Sequence, residues 1–477
     1  MIKFGTSGWR GVIAEDFTFD GVRRVTHAIS QYIKKQNNPN NEVIVGYDTR
    51  FLSDEFAKTA SCILASNGIK ALFCSRNTPT PVISYEIIRR KIAGGINFTA
   101  SHNPSNYNGI KFSPTWGGPA LPETTKVIET LANAPMQSGS KEISFESAQK
   151  SGLIEIINPR PQYLKRIKQL IDFKAIKKAN LKIATDVLYG TGAGYLDDLL
   201  DTAGTMQKVI NKQRDVLFGG HAPEPSEENL SELCALVKKE SCHLGLATDG
   251  DADRFGILDT DGSFINPNET IALLLYHMIK SRGLKSGVVA RSVMTTHLVD
   301  KVAQKFGIEV KETPVGFKYI GEIMVKEGKN FIIGGEESGG LTITDHVPEK
   351  DGIAACLLMA EMYAHTRKPL RKTLEEIFAL VGRVVSGRKN FHLTQSRIEQ
   401  LECELGCGLK SFAGLSVVST ITIDGFKFIL SDGSWVGIRP SGTEPVVRFY
   451  AEAESNEKLK KLFIYGSKLM LDKTTKQ

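Results

Sequence analysis

The sequence predicts an α/β protein that ends in a smaller α+β unit. Two observations lead there. Apolar strand-like runs alternate with amphipathic helix-like runs through most of the chain, as α/β layers with largely parallel sheets require. The tail then changes to short alternating strands joined by Asp-Gly turns, the pattern of antiparallel hairpins. At 477 residues, with 41% hydrophobic and 24% charged residues, the composition is that of an ordinary globular protein. A collagen-like, disulfide-scaffold or wholly disordered chain is excluded. At roughly 150 residues per domain the length suggests about three domains.

The elements follow in order. Asn41 to Thr49 (NEVIVGYDT) is a buried strand and turn. Glu55 to Gly68 has helical spacing and a glycine stop. Lys70 to Ser75 is the next strand. The same beat returns at Leu181 to Leu188, Cys242 to Asp249, Gly287 to Val293 and Lys329 to Gly335. Ile271 to Ile279 (IALLLYHMI) reads as a core helix, since it is far short of the ~18 apolar residues that span a bilayer. Leu415 to Pro440 gives the hairpins, and Asn456 to Lys473 a closing helix. Met136–Gly152 and Arg367–Arg371 read as linkers.

Charge excludes little. Sixty Lys and Arg against 53 Asp and Glu give a net charge of +7, which suits anionic metabolites and a nucleic-acid surface alike, though no interleaved aromatic–basic patch supports the latter. The cysteines Cys62, Cys74, Cys234, Cys242, Cys356, Cys403 and Cys407 are odd in number and lack zinc-site spacing. Reduced, mostly buried thiols are expected, and with MIKFGTSGWRG lacking an apolar signal region, a cytoplasmic location.

Four constellations can carry chemistry. In TASHNPSNYNGIKF (Thr99 to Phe112), Ser101 sits where a strand opens into a loop dense in turn formers, with His102 beside it and Lys111 further on. The plainer reading is a polar loop whose serine caps a helix. In ATDGDADRFGILD (Ala247 to Asp259), Asp249, Asp251 and Asp253 repel one another unless a cation neutralises them. A hard divalent ion, Mg²⁺, is the natural partner. Arg254 and Thr260 at the sixth and twelfth positions exclude an EF-hand, and a solvated acidic turn is the plainer reading. GGEESGG (Gly334 to Gly340) places Glu336 and Ser338 two apart between glycines, facing a polyol or forming a plain acidic turn. GIRPSGTEPVVRFY (Gly437 to Tyr450) combines Arg439, Ser441, Gly442 and Thr443 as a phosphate cradle with Arg448 following, or as a β-turn beside a surface arginine.

Two signals are weaker. YGTGAGY (Tyr189 to Tyr195) fails the dinucleotide fingerprint because Tyr195 stands where glycine is needed. ILDTDGS (Ile257 to Ser263) has the look of an aspartate-nucleophile phosphatase loop around Asp259, and equally of a hairpin turn.

Together these motifs resemble, in order, those of the α-D-phosphohexomutase family, in its phosphoglucomutase/phosphomannomutase branch and closest to phosphoglucomutase. TASHNPSNYNGIK is similar to its phosphoserine loop, DGDADR to its metal loop, GEESGG to its sugar loop and RPSGTEP to its phosphate loop; GTSGWRG (Gly5 to Gly11) is similar to its opening motif. The resemblance implies a four-domain, heart-shaped architecture: three similar α/β domains over 1–150, 151–258 and 259–375, and an α+β domain over 376–477.

It also implies an intramolecular phosphotransferase acting on a small sugar phosphate, with no nucleic-acid or membrane partner, as a monomer or small homo-oligomer. Phosphate on Ser101 would pass to a glucose phosphate through a glucose 1,6-bisphosphate intermediate. Ser101, Asp249, Asp251 and Asp253 would hold Mg²⁺. His102, Lys111 and Lys318 are the acid–base candidates, with Arg10 and Arg254 stabilising charge. Arg254, Arg291, Gly316, Glu336, Ser338, Arg439, Ser441, Gly442, Thr443 and Arg448 would bind substrate. Phe317 and Gly340 stand where phosphomannomutase-type members often carry histidine, which favours glucose over mannose. A mannose or dual-specificity enzyme, a phosphatase using Asp259, and an inactive sugar-phosphate binder are the competing readings.

Overall fold

The computed structural model describes residues 1–5, 7–135, 143–440 and 446–471. They build four sheets, one per unit, so the length estimate of three falls one short. In the first sheet the spatial order is Trp9–Val12, Tyr107–Pro114, Gly94–Phe98, Glu42–Tyr47, Lys70–Cys74 and Ile154–Ile157. In the second it is Phe264–Ile265, Phe255–Leu258, Leu244–Thr248, Lys182–Asp186 and Met206–Ile210. In the third it is Glu309–Thr313, Val288–Ser292, Phe331–Glu336 and Gly340–Ile343.

These sheets are mixed rather than largely parallel. Each has a parallel core, where a helix supplies the crossover. In each, one parallel strand then returns directly as an antiparallel neighbour. The returns are the Ser101 loop, the Asp249–Asp253 loop and the Glu337–Gly339 loop. A connection that short holds no crossover helix, so the return strand is antiparallel. The fourth sheet is antiparallel throughout, from Val385–His392 to Ser411–Phe412, and the helix Asn456–Leu471 packs on it.

The expected boundaries shift. Ile154–Ile157 pairs with Lys70–Cys74, so the first sheet extends past residue 150. Within the expected linker, Ser144 caps a helix over Phe145–Lys150 by accepting from the Ser147 N–H. Arg367 is the left-handed cap of helix Gly352–Thr366, and the helix Leu370–Val381 begins directly after it; this is a tight turn, not a linker. Leu370–Val381 packs on the third unit's helices, so that unit continues past residue 375. Cys74, Cys242 and Cys356 are buried, but Cys403 and Cys407 are exposed at the end of helix Gln395–Gly406. No helix among the described residues is long and apolar enough to cross a membrane.

The first and fourth units have their own cores. The second and third share one. Leu244, Leu246 and Ile257 of the second sheet join Val289 and Ile333 of the third in a single apolar cluster. The helix Pro267–Arg282 runs through it, buried over Thr270 to Leu275 and again at His277 to Ile279. An Asn266–Glu269 capping box starts that helix and left-handed Gly283 ends it. Leu274→Ala should cost about 2–5 kcal/mol. Hydrogen exchange should then rise in the second and third units together, and not in the first or fourth.

Candidate active site

The Ser101 loop opens where strand Gly94–Phe98 ends and closes directly into Tyr107–Pro114. No helix follows Ser101, so it is not a helix cap. Its backbone is left-handed, with φ of 53°. Its N–H donates to Thr99 Oγ1 at 2.8 Å, and its hydroxyl donates to Asp249 Oδ2 at 2.7 Å. That bond joins the first unit to the second. Arg50, which the sequence reading passed over, lies fully buried beneath the loop. Its motif, YDTR at a strand end, is indistinguishable in sequence from an ordinary turn.

The aspartate loop is not a solvated turn: Asp249, Asp251 and Asp253 are 0%, 0% and 1% exposed. One oxygen from each lies within 4.8 Å of the others. Lys111 Nζ donates to Asp251 at 2.6 Å and to Asp253 at 2.8 Å. Thr80 Oγ1 donates to Asp251 at 2.5 Å. From the third unit, Lys350 Nζ reaches Asp253 at 3.0 Å and Glu349 at 3.1 Å. Lys350 and Glu349 are further site residues that the sequence reading did not assign.

The charges divide accordingly. Burial, together with Asp251 and Asp253, pushes Asp249 well above the usual carboxylate range. Burial acts the same way on Asp253, but Lys111, Lys350 and Arg254 outweigh it and hold Asp253 below that range. Burial and Asp253 act upward on Asp251, yet Lys111 and Thr80 overcome them and lower it too. Burial disfavours the charged forms of Lys111 and Lys350, but the carboxylates outweigh it and raise both. The Oδ1 atoms of Asp251 and Asp253 are buried without hydrogen-bond partners. Carboxylate oxygens converging in this way are the donor set of a hard divalent cation, so the residues fit Mg²⁺.

His102 and the two arginines line the same region. Arg10 Nη1 donates to Asn103 Oδ1 at 2.5 Å. Burial lowers His102 well below its usual value, and Arg254 and Arg10 add to that, so the imidazole is neutral. Its Nδ1 is buried without a partner. Burial and Arg254 lower Arg10 as well.

The third unit's loop sits against the second: Phe255 N–H donates to the Gly339 carbonyl, and Arg254 bridges Gly340. Glu336 accepts from the Gly316 N–H at 2.7 Å. Burial, with Glu337 beside it, raises Glu336 to about 7. Ser338 is half-buried and opens on a cavity of about 360 Å³ lined by the second, third and fourth units, among them Glu224, Tyr450 and Arg388. Lys318 is half-buried, and burial lowers it.

Arg291 is not available to a substrate. Its guanidinium donates to Asp300 through Nε and Nη2, and to Glu312 and the Ser292 carbonyl through Nη1. Arg439 Nε donates to Asp424 Oδ1 at 2.9 Å, and the other Asp424 oxygen accepts from Val315 N–H at 3.0 Å. That carboxylate ties the fourth unit to the loop that carries Gly316. Arg448 stands opposite Arg439 in the strand register. Ser441, Gly442 and Thr443 lie outside the described residues.

Asp259 is not a nucleophile in waiting. It is 1% exposed. Its oxygens accept from Thr260, Leu370 and Arg371 N–H groups, capping the helix Leu370–Val381. The glycines of YGTGAGY support the metal-type loop: Thr191 N–H donates to the Gly250 carbonyl, and a Cβ at Gly190 would meet Asp249 O at 2.8 Å.

Comparisons with known proteins agree with this arrangement. Family models for phosphoglucomutase/phosphomannomutase match in all four parts: alpha/beta/alpha domain I over residues 1–138, domain II over 161–262, domain III over 266–381 and the C-terminal domain over 393–463. A phosphoglucomutase/phosphomannomutase of Thermococcus kodakarensis is 31% identical and aligned over 98% of each chain. A phosphoglucomutase of Komagataeibacter xylinus is 30% identical over 95% of this chain and 87% of its own. A solved structure described as a putative phosphomannomutase from Thermus thermophilus superimposes with a TM-score of 0.85 at 34% identity, covering 99% of both chains. With four domain models in order and relatives aligned end to end, the chain belongs to the phosphoglucomutase/phosphomannomutase family of phosphohexomutases and is an intramolecular phosphotransferase.

Proposed function

We propose that this enzyme interconverts glucose 1-phosphate and glucose 6-phosphate through phosphate carried on Ser101, with glucose 1,6-bisphosphate as the intermediate. The observation that carries the reading is the Ser101 hydroxyl, 2.7 Å from Asp249 and set among the cations Lys111, Lys350, Arg10 and Arg254. In the first half-reaction the bond from phosphorus to Ser101 Oγ breaks as one forms to the sugar hydroxyl. The hydroxyl proton leaves to a base, and Ser101 Oγ regains a proton. The bisphosphate turns over, and its other phosphate returns to Ser101 by the reverse chemistry.

Asp249, Asp251 and Asp253 would hold Mg²⁺, which neutralises charge on a phosphoryl group in flight. Lys111 and Lys350 keep their protons and offer positive charge to the phosphoryl oxygens. Lys318, lowered by burial, and the neutral His102 would be the groups able to accept a hydroxyl proton. Glu336 and Ser338 would take sugar hydroxyls, and Arg439 the distal phosphate.

Packing accounts for the glycine at position 340. A Cβ at Gly340 would meet Lys350 Cδ at 2.3 Å, and the Lys350 amine lies 5.5 Å from the Phe317 ring centre. Lys350 thus occupies the space that a histidine at 340 would need.

A coupled assay with Mg²⁺ should show glucose 1-phosphate turnover stimulated by glucose 1,6-bisphosphate and faster than that of mannose 1-phosphate or glucosamine 1-phosphate. Ser101→Ala should abolish turnover and leave the fold intact. Equal or faster mannose turnover would overturn the substrate assignment, and an active alanine variant would overturn the phosphoserine. Glu336 gives a pH signature. Its carboxyl is raised to about 7, so it is protonated below that pH and ionised above it. As pH rises through 7 it becomes an acceptor for sugar hydroxyls, so kcat/KM should rise there. Glu336→Gln should remove that limb and lower kcat/KM roughly 10- to 100-fold at pH 8, as losing a charged hydrogen bond does. Asp259→Ala should cost about 1–2 kcal/mol in denaturant unfolding, the value of a lost cap, without loss of turnover in the folded protein.

A further inference from the structure

We propose that Arg50 is the positioning residue that aims Ser101 at the reacting phosphate. The proposal rests on the reading of Ser101 as phosphate carrier. Arg50 is 0% exposed, so it is neither a surface charge nor open to substrate. All five of its side-chain N–H donors are engaged. Nη2 donates to the carbonyls of Ser101 at 2.7 Å and Asn103 at 2.6 Å. Nη1 donates to those of Pro104 at 2.7 Å and Tyr107 at 3.1 Å. Nε donates to Asp48 Oδ2 at 3.1 Å. Four carbonyls of one short loop therefore converge on a single cation.

That convergence settles where Ser101 points. A left-handed φ is uncommon for a serine and persists only where its surroundings over-determine it. Both peptide groups flanking Ser101 are held. Thr99 takes its N–H and Arg50 takes its carbonyl. With the carbonyl side of the loop turned down onto the guanidinium, the hydroxyl side turns up toward Asp249. The loop's own backbone bonds are few: Asn103 N–H to Ala100, and Tyr107 N–H to Pro104.

Arg50 is itself anchored. Asp48 Oδ1 accepts from the Arg50 N–H at 2.9 Å and from Ser53 Oγ at 2.7 Å. The guanidinium lies over the ring of Phe218, from the second unit, at 4.9 Å. Arg214 of that unit donates to the Thr49 carbonyl at 3.1 Å. The support under Ser101 is thus built by the same two units whose loops meet at the Ser101–Asp249 bond. A lysine offers three donors from one point and cannot span four carbonyls in a plane.

The test compares wild type, Arg50→Lys and Asp48→Asn. Asp48→Asn keeps the guanidinium but loosens its anchor, and serves if Arg50→Lys fails to fold. Misplacing a reacting group by about 1 Å costs about 100-fold, so Arg50→Lys should lower kcat about 100-fold in the folded fraction. Asp48→Asn should lower it about tenfold, with KM within threefold of wild type for both. Transfer of label from ³²P-glucose 1,6-bisphosphate to Ser101 in a single turnover should slow in proportion. Wild-type kcat per folded molecule in the variants, or a change in KM alone, would overturn the positioning role. If wild type takes label on Ser101 and the variants take it equally fast, Arg50 is structural only. If wild type takes no label on Ser101, the phosphoserine reading falls, and this proposal with it.

Discussion

Three buried carboxylates in one short loop are the constraint around which this molecule is arranged. Taking charge out of water is costly, and like charges side by side make it more so. Within the second unit Arg254 offsets part of the charge on Asp253, but not enough for both Asp251 and Asp253. The rest of the remedy comes from that unit's neighbours: Lys111 and Thr80 from the first unit, Lys350 from the third. The backbone follows the same contacts. Thr80 N–H donates to the Asp251 carbonyl, and Gly352 N–H to that of Ala252. The first three units meet at the aspartates because the aspartates cannot be buried otherwise. Breaking one such pair leaves an uncompensated buried charge, which is strongly destabilising.

The location of the chemistry follows from the topology. In each of the first three units a parallel strand ends, a short loop reverses, and an antiparallel strand returns. Such a loop is held at both ends by strand pairing, so its side chains are placed by a rigid frame while its tip stays open to a neighbour. One unit offers the hydroxyl, the next the carboxylates, the third a carboxylate and a hydroxyl. No unit carries a complete site.

What the sequence disclosed and what it hid have physical causes. Ser101 and the aspartates stand in dense runs of turn formers and charges, so those positions stand out as candidates, the serine's role coming from the family resemblance. Arg50, Lys350 and Asp424 do not stand out. Each acts through contacts with residues far away in the chain, and a single arginine, lysine or aspartate leaves no local trace. Arg291 shows the converse. Only the family resemblance implied a substrate-binding role for it, yet Asp300 and Glu312 engage it. Unit limits were displaced because polar composition marks exposure, not hydrogen bonding. Ile154–Ile157, with two exposed residues, still completes the first sheet.

The seam between the third and fourth units follows a different rule from the apolar core shared by the second and third. Its apolar cluster is small, holding Val293, Met294, Trp435 and Tyr450. The rest is polar and directional. Lys427, fully buried, donates to the Val293 carbonyl at 2.6 Å, contacts His297 at 2.8 Å and lies 4.2 Å from the Trp435 ring centre. Burial and Arg291 lower Lys427 to about 8, and burial and Lys427 lower His297 to about 2. Glu452 accepts from His297 N–H and Trp435 Nε1. Such a seam adds little net cohesion, because each bond replaces one to water. It specifies orientation instead, since its buried donors and acceptors meet only in this arrangement. Asp424 is where that orientation matters for the chemistry. One carboxylate oxygen holds Arg439 and the other holds Val315, next to the Gly316 whose N–H binds Glu336. The proposed phosphate fork and the proposed sugar carboxylate are therefore set at a fixed separation by a single side chain. In the proposed reaction a substrate would be measured between them.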